Sequence, residues 1–107
     1  MTVAELVRAQ LDDAKAEGGV LLHCLAVAYD IADELPDNIP APKVLVPSDG
    51  GVEFLWGNET WAMEIDIETD HTEVWVHNRE TRAEWAGEYG LTKRLLFGQL
   101  REMKEGS

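Results

Sequence analysis

The chain has 107 residues, 45% of them hydrophobic, and a formal net charge of −12, which describes one small globular domain, residues 1–107, with a single core. Nine basic side chains stand against 21 acidic ones, a balance that repels nucleic acid and anionic lipid and attracts basic partners, or serves solubility alone. The one cysteine, Cys24, excludes an intrachain disulfide and a cysteine zinc cluster, and a lone thiol among apolar neighbours suits a reducing compartment.

Thr2-Val3-Ala4-Glu5 has capping-box spacing, and Val3, Leu6, Val7, Leu11 and Ala14 follow at helical intervals. A first helix is expected over about 3–17, stopped by Gly18-Gly19. Val20 to Leu35 reads as a second helix, apolar on nearly all sides through Tyr29. Such a helix is buried on several sides or gives part of its surface to a second copy of the chain. Its apolar run is interrupted by His23 and is far too short to cross a bilayer. With no basic, then apolar, leader at the N-terminus, the expected location is cytoplasmic. Pro36 ends this helical hairpin, residues 1–35, and Pro36 to Pro42 is a stiff extended connector.

The β half, residues 43–78, opens with Lys43-Val44-Leu45-Val46 and the Asp49-Gly50 turn. Val52, Phe54 and Trp56 then alternate with Glu53 and Leu55. Beyond a turn near Gly57-Asn58, Trp61, Met63, Ile65 and Ile67 alternate with Ala62, Glu64, Asp66 and Glu68. Beyond another near Thr69-Asp70, Val74 and Val76 return to the apolar side, leaving Glu73, Trp75 and His77 opposite. Even-length loops pair positions of odd sum, such as 54 with 61 and 65 with 74. A one-residue slip would bury a whole row of carboxylates, so the parity is strongly determined. Arg79 to Tyr89 is ambiguous: Thr81-Arg82-Ala83-Glu84 is a second capping-box match that would start a short helix carrying Trp85, against Gly87 and Gly90. Leu91, Leu95 or Leu96, Leu100 and Met103 mark a last helix, so 81–104 is read as a C-terminal helical segment. The expected class is α+β: two N-terminal helices, an antiparallel meander of three to four strands, and a C-terminal helix.

The charge layout is uneven. Residues 1–90 hold five basic and 19 acidic groups, net −14, whereas residues 91–107 are net +2. Glu64, Asp66 and Glu68 fall about 6.5–7 Å apart along one strand face, with Glu53 and Glu73 as cross-strand neighbours. Three readings are open: a solvated face that resists edge pairing, a docking surface for a basic partner, or a divalent-cation site completed by further oxygens. Trp75 shares that face. It is either an interface anchor or core beneath the last helix. Neither His71 nor His77 has a second histidine or cysteine at ligand spacing, so no transition-metal site is expected. His23 and Cys24 point about 100° apart on a helix and form no nucleophile–base pair. Phosphate-cradling loops, nucleophile elbows and metalloprotease motifs are missing, and the acidic strands lack the lysine that nuclease sites need. No catalytic residue and no cofactor is expected.

The segment PKVLVPSDGGVEFLWGNETWAMEIDI, residues 42–67, resembles a pattern in small bacterial and phage proteins. It combines a proline-flanked strand, an Asp-Gly-Gly turn, a strand ending in tryptophan and an acidic strand, over about a quarter of the chain. The resemblance implies an accessory or defence-related role, similar to phage-encoded inhibitors and toxin-neutralising proteins, which for a phage product means the host cytoplasm. It carries over no functional residue. The resulting expectation is a non-enzymatic acidic protein that docks on and inhibits a basic, nucleic-acid-binding or toxin protein. Glu53, Glu64, Asp66, Glu68 and Glu73 would steer it and Trp75 would anchor it, with no metal, membrane or direct nucleic-acid contact. The alternative is a structural or assembly protein that homodimerises through its apolar helices. A metal-dependent enzyme using the carboxylate strand is the third class.

Overall fold

Thr2 caps the first helix as its spacing predicts: its hydroxyl accepts from the Glu5 amide at 3.1 Å and the Glu5 carboxylate accepts from the Thr2 amide at 3.2 Å. The computed structural model describes residues 1–106. Helix α1, Val3–Glu17, buries Val3, Val7 and Leu11, while Leu6, expected on the same stripe, stays exposed. Gly18 and Gly19, both at φ 84, turn the chain out of the helix. Helix α2 is Leu22–Glu34, two residues shorter at the start and one at the end than expected. Its entry is set by the Leu21 amide, which donates to the Gly50 carbonyl at 2.8 Å. Leu35 is extended at ψ 127, as the following proline requires. Of α2, Cys24, Leu25, Ala28, Ile31 and Ala32 are buried, but Leu22, His23 and Ala26 are exposed, so it is apolar beyond the face it packs.

The connector is bound at its C-terminal end. Trp56 Nε1 donates to the Pro40 carbonyl at 2.8 Å, and the Gln10 side chain bridges the Pro42 carbonyl and the Val44 amide at 2.9 and 2.8 Å. Five strands follow: β1 Lys43–Leu45, β2 Val52–Gly57, β3 Trp61–Ile67, β4 Thr72–Asn78 and β5 Glu84–Glu88. They form one antiparallel meander in the order β1-β2-β3-β4-β5. Gly51 is required where β2 meets β3, because a Cβ there would lie 2.7 Å from the Ile67 carbonyl oxygen. Helix α3, Tyr89–Glu105, closes the described chain. The class is α+β.

Parity held while register moved. Phe54 faces Ile65 rather than position 61, whereas Ile65 faces Val74 as expected. The shift comes from Asn58, whose side chain accepts from the Thr60 and Trp61 amides at 2.9 and 2.7 Å and so builds a four-residue loop. The second discrepancy is larger. The segment expected to start a helix at Thr81 turns back as a fifth strand, and α3 begins only at Tyr89. Asn78 captures the Glu80 and Thr81 amides at 2.9 and 3.0 Å, and Arg82 sits in the left-handed region at φ 64. The Thr81 hydroxyl then serves Ala83 rather than a helix cap. Trp85 consequently lies opposite Val76 on a strand and packs against the core.

All three helices lie on one side of the sheet. Val52, Phe54, Trp56, Met63, Ile65, Ile67, Val74 and Val76 join Leu11, Leu25, Ile31, Leu96 and Leu100 in one buried cluster, each large side chain contributing roughly 1.5–3 kcal/mol. Tyr89 leads α3 into this core and its hydroxyl donates to Glu34 at 3.1 Å; burial first, then the Glu34 charge, raises its pKa. Among the described residues no helix is long and apolar enough to cross a membrane.

Candidate functional site

Among the described residues no helix lies over the sheet's other face. Residues paired across antiparallel strands point the same way, so the pairing partners define rows. The first row is Leu45, Glu53, Asp66, Glu73 and Glu88. Four carboxylate residues thus cross four neighbouring strands, which lie about 4.8 Å apart. The second row is Lys43, Leu55, Glu64, Trp75 and Ala86; the third is Gly57, Ala62, His77 and Glu84.

Asp66 lies at the centre of the charge. Its Oδ1 is buried without a hydrogen-bond partner. Desolvation above all, then Glu64 beside it on the strand and the charge of Glu68, push its pKa up to about 6; contact with Glu53 pulls the other way. Ionised carboxylates only accept, so each contact needs a proton on one partner: Asp66 is the donor toward Glu64 and the acceptor from Glu53. Glu53 is also raised, by desolvation and then by Asp66, Asp49 and Glu68. Like charges in neighbouring registers oppose folding. The row is strained electrostatically unless a proton or a cation enters it.

Trp75 sits beside this row. Trp56 belongs to the core and Trp61 and Trp85 pack against it; Trp75, half-buried, does neither. Helix α3 covers the opposite side of β4, where Val74 and Val76 are buried. Of the two readings of Trp75, core beneath the last helix is therefore excluded. Its ring lies parallel to His77, centroids 5.6 Å apart with 2° between planes. His77 Nδ1 in turn is 3.3 Å from a Glu84 carboxylate oxygen. Leu55, on the same face as Trp75, is two strands away with Glu64 between. A depression of about 520 Å³ is lined on this side by Lys43, Leu55, Ala62, Glu64 and Trp75 and reaches the connector at Pro40 and Ala41.

Glu53, Glu64, Asp66, Glu73 and Trp75 thus share one surface, and Glu68 leaves it. Strand β3 ends at Ile67, and Glu68 lies in the hairpin turn, where its amide donates to the His71 carbonyl at 2.9 Å. There His71 is held between Asp70, 2.7 Å from Nδ1, and Glu68, 3.0 Å from Nε2. The Asp70 contact raises the His71 pKa and lowers that of Asp70. One ligand atom from each of Glu68, Asp70 and His71 lies within 4.8 Å of the others. These exposed groups could hold a cation, in competition with the proton on His71. His23 is exposed and Cys24 buried, so they face different surroundings.

Glu88 and Glu84 extend the rows and were not anticipated, because the strand that carries them was read as helix. The signal was present: in Glu84-Trp85-Ala86-Gly87-Glu88 the acidic and small residues alternate with the tryptophan. Compared with family models, curated proteins and solved structures, the chain matches none.

Proposed function

We propose that this domain is a non-enzymatic acidic binding protein that lays its open sheet face on a basic protein and inhibits it. The basic protein is one that binds nucleic acid or acts as a toxin, and a phage-encoded or defence-related setting fits that role. The observation that carries the reading is the row Glu53, Asp66, Glu73 and Glu88, crossing four strands beside a half-buried tryptophan on a face without a helix over it. A partner's lysines and arginines would relieve the repulsion within the row, so binding gains energy that the free sheet lacks. The net charge of −12 would steer the encounter at long range. The test has two parts. Pull-downs at low and high salt, with the native chain and Trp75→Ala, select the partner. Stopped-flow association then measures the rate against ionic strength. The rate is expected to fall steeply with salt; a rate indifferent to salt contradicts the proposal.

One observation favours a second reading, assembly as a homodimer. Leu91 and Leu95, one turn apart on α3, are 84% and 63% exposed, and Leu22 at the start of α2 is 76% exposed. Sedimentation equilibrium separates the two readings: a tight dimer that dissociates on Leu91→Glu supports assembly, and a monomer removes it.

A further inference from the structure

Resting on the docking function proposed above, the geometry points to the chemistry of one contact: we infer that Trp75 and Glu64 form a seat for a single arginine side chain of the partner. Glu64 is the direct cross-strand partner of Trp75, which brings their Cβ atoms to about 4.5–5.5 Å. Glu64 and Trp75 therefore stand side by side on the open face. On the other flank Trp75 faces Ala86, and its stacking neighbour His77 faces Ala62. Two methyl-sized side chains leave the aromatic surface low-walled. The parallel His77 ring, 5.6 Å away, restrains the indole, so little side-chain freedom remains to be lost on binding.

A guanidinium fits this seat better than an ammonium. It is planar, weakly hydrated and able to stack on an indole while its N–H edge pairs with a carboxylate through two bonds. Lysine offers a compact, strongly hydrated charge that uses the carboxylate but gains less from the ring. The chain's own cations sit aside. Lys43 lies in the same row but two strands from Glu64, beyond Leu55, and the Arg79 Nε donates to the Trp61 carbonyl at 3.4 Å. Both line the same depression as Glu64 and Trp75, without a hydrogen bond to Glu64. Asp66 and Glu73, neighbours of Glu64 and Trp75 along their strands, supply the surrounding negative potential.

The test is isothermal titration of the full chain at low ionic strength with two peptides of equal length and charge, one a Gly-Arg repeat and the other a Gly-Lys repeat. The arginine peptide is expected to bind about tenfold tighter. Trp75→Leu, on the open face, should bring the ratio close to one while the lysine affinity changes little; Glu64→Gln should weaken both peptides and the arginine peptide more, so the ratio falls there too. Equal affinities for the native chain would overturn the arginine seat and leave the acidic docking face standing. Failure of both peptides to bind would overturn both. A preference that survives in Trp75→Leu and Glu64→Gln would place the arginine elsewhere and also overturn the seat.

Discussion

The two faces of the sheet are made from the same strands, residue by residue in alternation, yet they answer to opposite physics. On the helix side, Val52, Phe54, Met63, Ile65, Ile67, Val74 and Val76 are at most 2% exposed and join one core. On the other side, Glu53, Asp66, Glu73 and Glu88 stand in a row whose mutual repulsion works against folding. The dry face explains why the chain folds. The charged face does not help it fold, and an electrostatically strained surface beside an uncovered tryptophan is where an interaction with a cationic partner gains most. The comparison also separates residues by consequence: changes on the dry face should be read in stability, and changes on the open face in binding.

The largest expected effect tests that separation. Phe54→Ala empties a fully buried site and should cost about 3–5 kcal/mol in urea unfolding. Trp75→Ala should cost less than about 1 kcal/mol. If the two losses are similar, Trp75 is structural and the distinction between faces fails at its most important residue.

The next effect concerns the sign of the charge term. Asp66 has a folded pKa of about 6, above its ordinary 3.8. It therefore favours the native state below about pH 4 and withdraws that contribution as the pH rises through about 6. The groups facing it are Glu53, Glu64 and Glu73, with the charge of Glu68 acting from the hairpin turn. Glu53 is raised as well and acts in the same direction. Asp66→Asn should thus stabilise the protein at pH 7 by roughly 1 kcal/mol and flatten its stability between about pH 4 and pH 7. Chemical denaturation across that range measures it. A loss of stability at neutral pH would mean that the row is already compensated.

The smallest expected effect lies away from both faces. Arg8 holds Asp33 through two contacts of 2.8 Å and lies over the Tyr29 ring at 4.9 Å, all at the surface. Asp33 is lowered by that pairing, a contribution present above its unfolded pKa and lost as the pH falls through the folded one. Arg8→Ala should move the urea midpoint least of these substitutions, because exposed pairs are screened by solvent. A shift as large as that of Phe54→Ala would make the helical pair α1–α2 the dominant source of stability.

How far these features could be read beforehand follows from the range of the interactions involved. Capping by Thr2 and Glu5, the glycine stop at Gly18-Gly19 and the proline stop at Pro36 are local, and each appears where expected. The parity of Phe54, Ile65 and Val74 was legible because alternation is a two-residue property. The pairing of Phe54 with Ile65 was not, since it depends on how Asn58 closes its loop. Strand β5 was misread because Thr81-x-x-Glu84 satisfies a helix-start pattern, while Asn78, three residues earlier, commits those same amides to a turn. That misreading hid Glu88, and the pairing of 54 with 61 set Glu53 opposite Ala62, so of the carboxylate row only Asp66 opposite Glu73 was legible. The side of the sheet covered by α3 is a tertiary property, and no local pattern decided whether Trp75 was covered.

The central claim is that the open face, not the helical layer, meets a basic partner. Backbone amide and indole chemical shifts, followed while the Gly-Arg peptide is titrated into the full chain at neutral pH, test it most directly. Perturbations are expected to concentrate at Glu64, Asp66, Glu73, Trp75, His77 and Glu88 and to weaken with added salt. Perturbations centred instead on Leu22, Leu91 and Leu95, with the β3–β5 face unmoved, would contradict it.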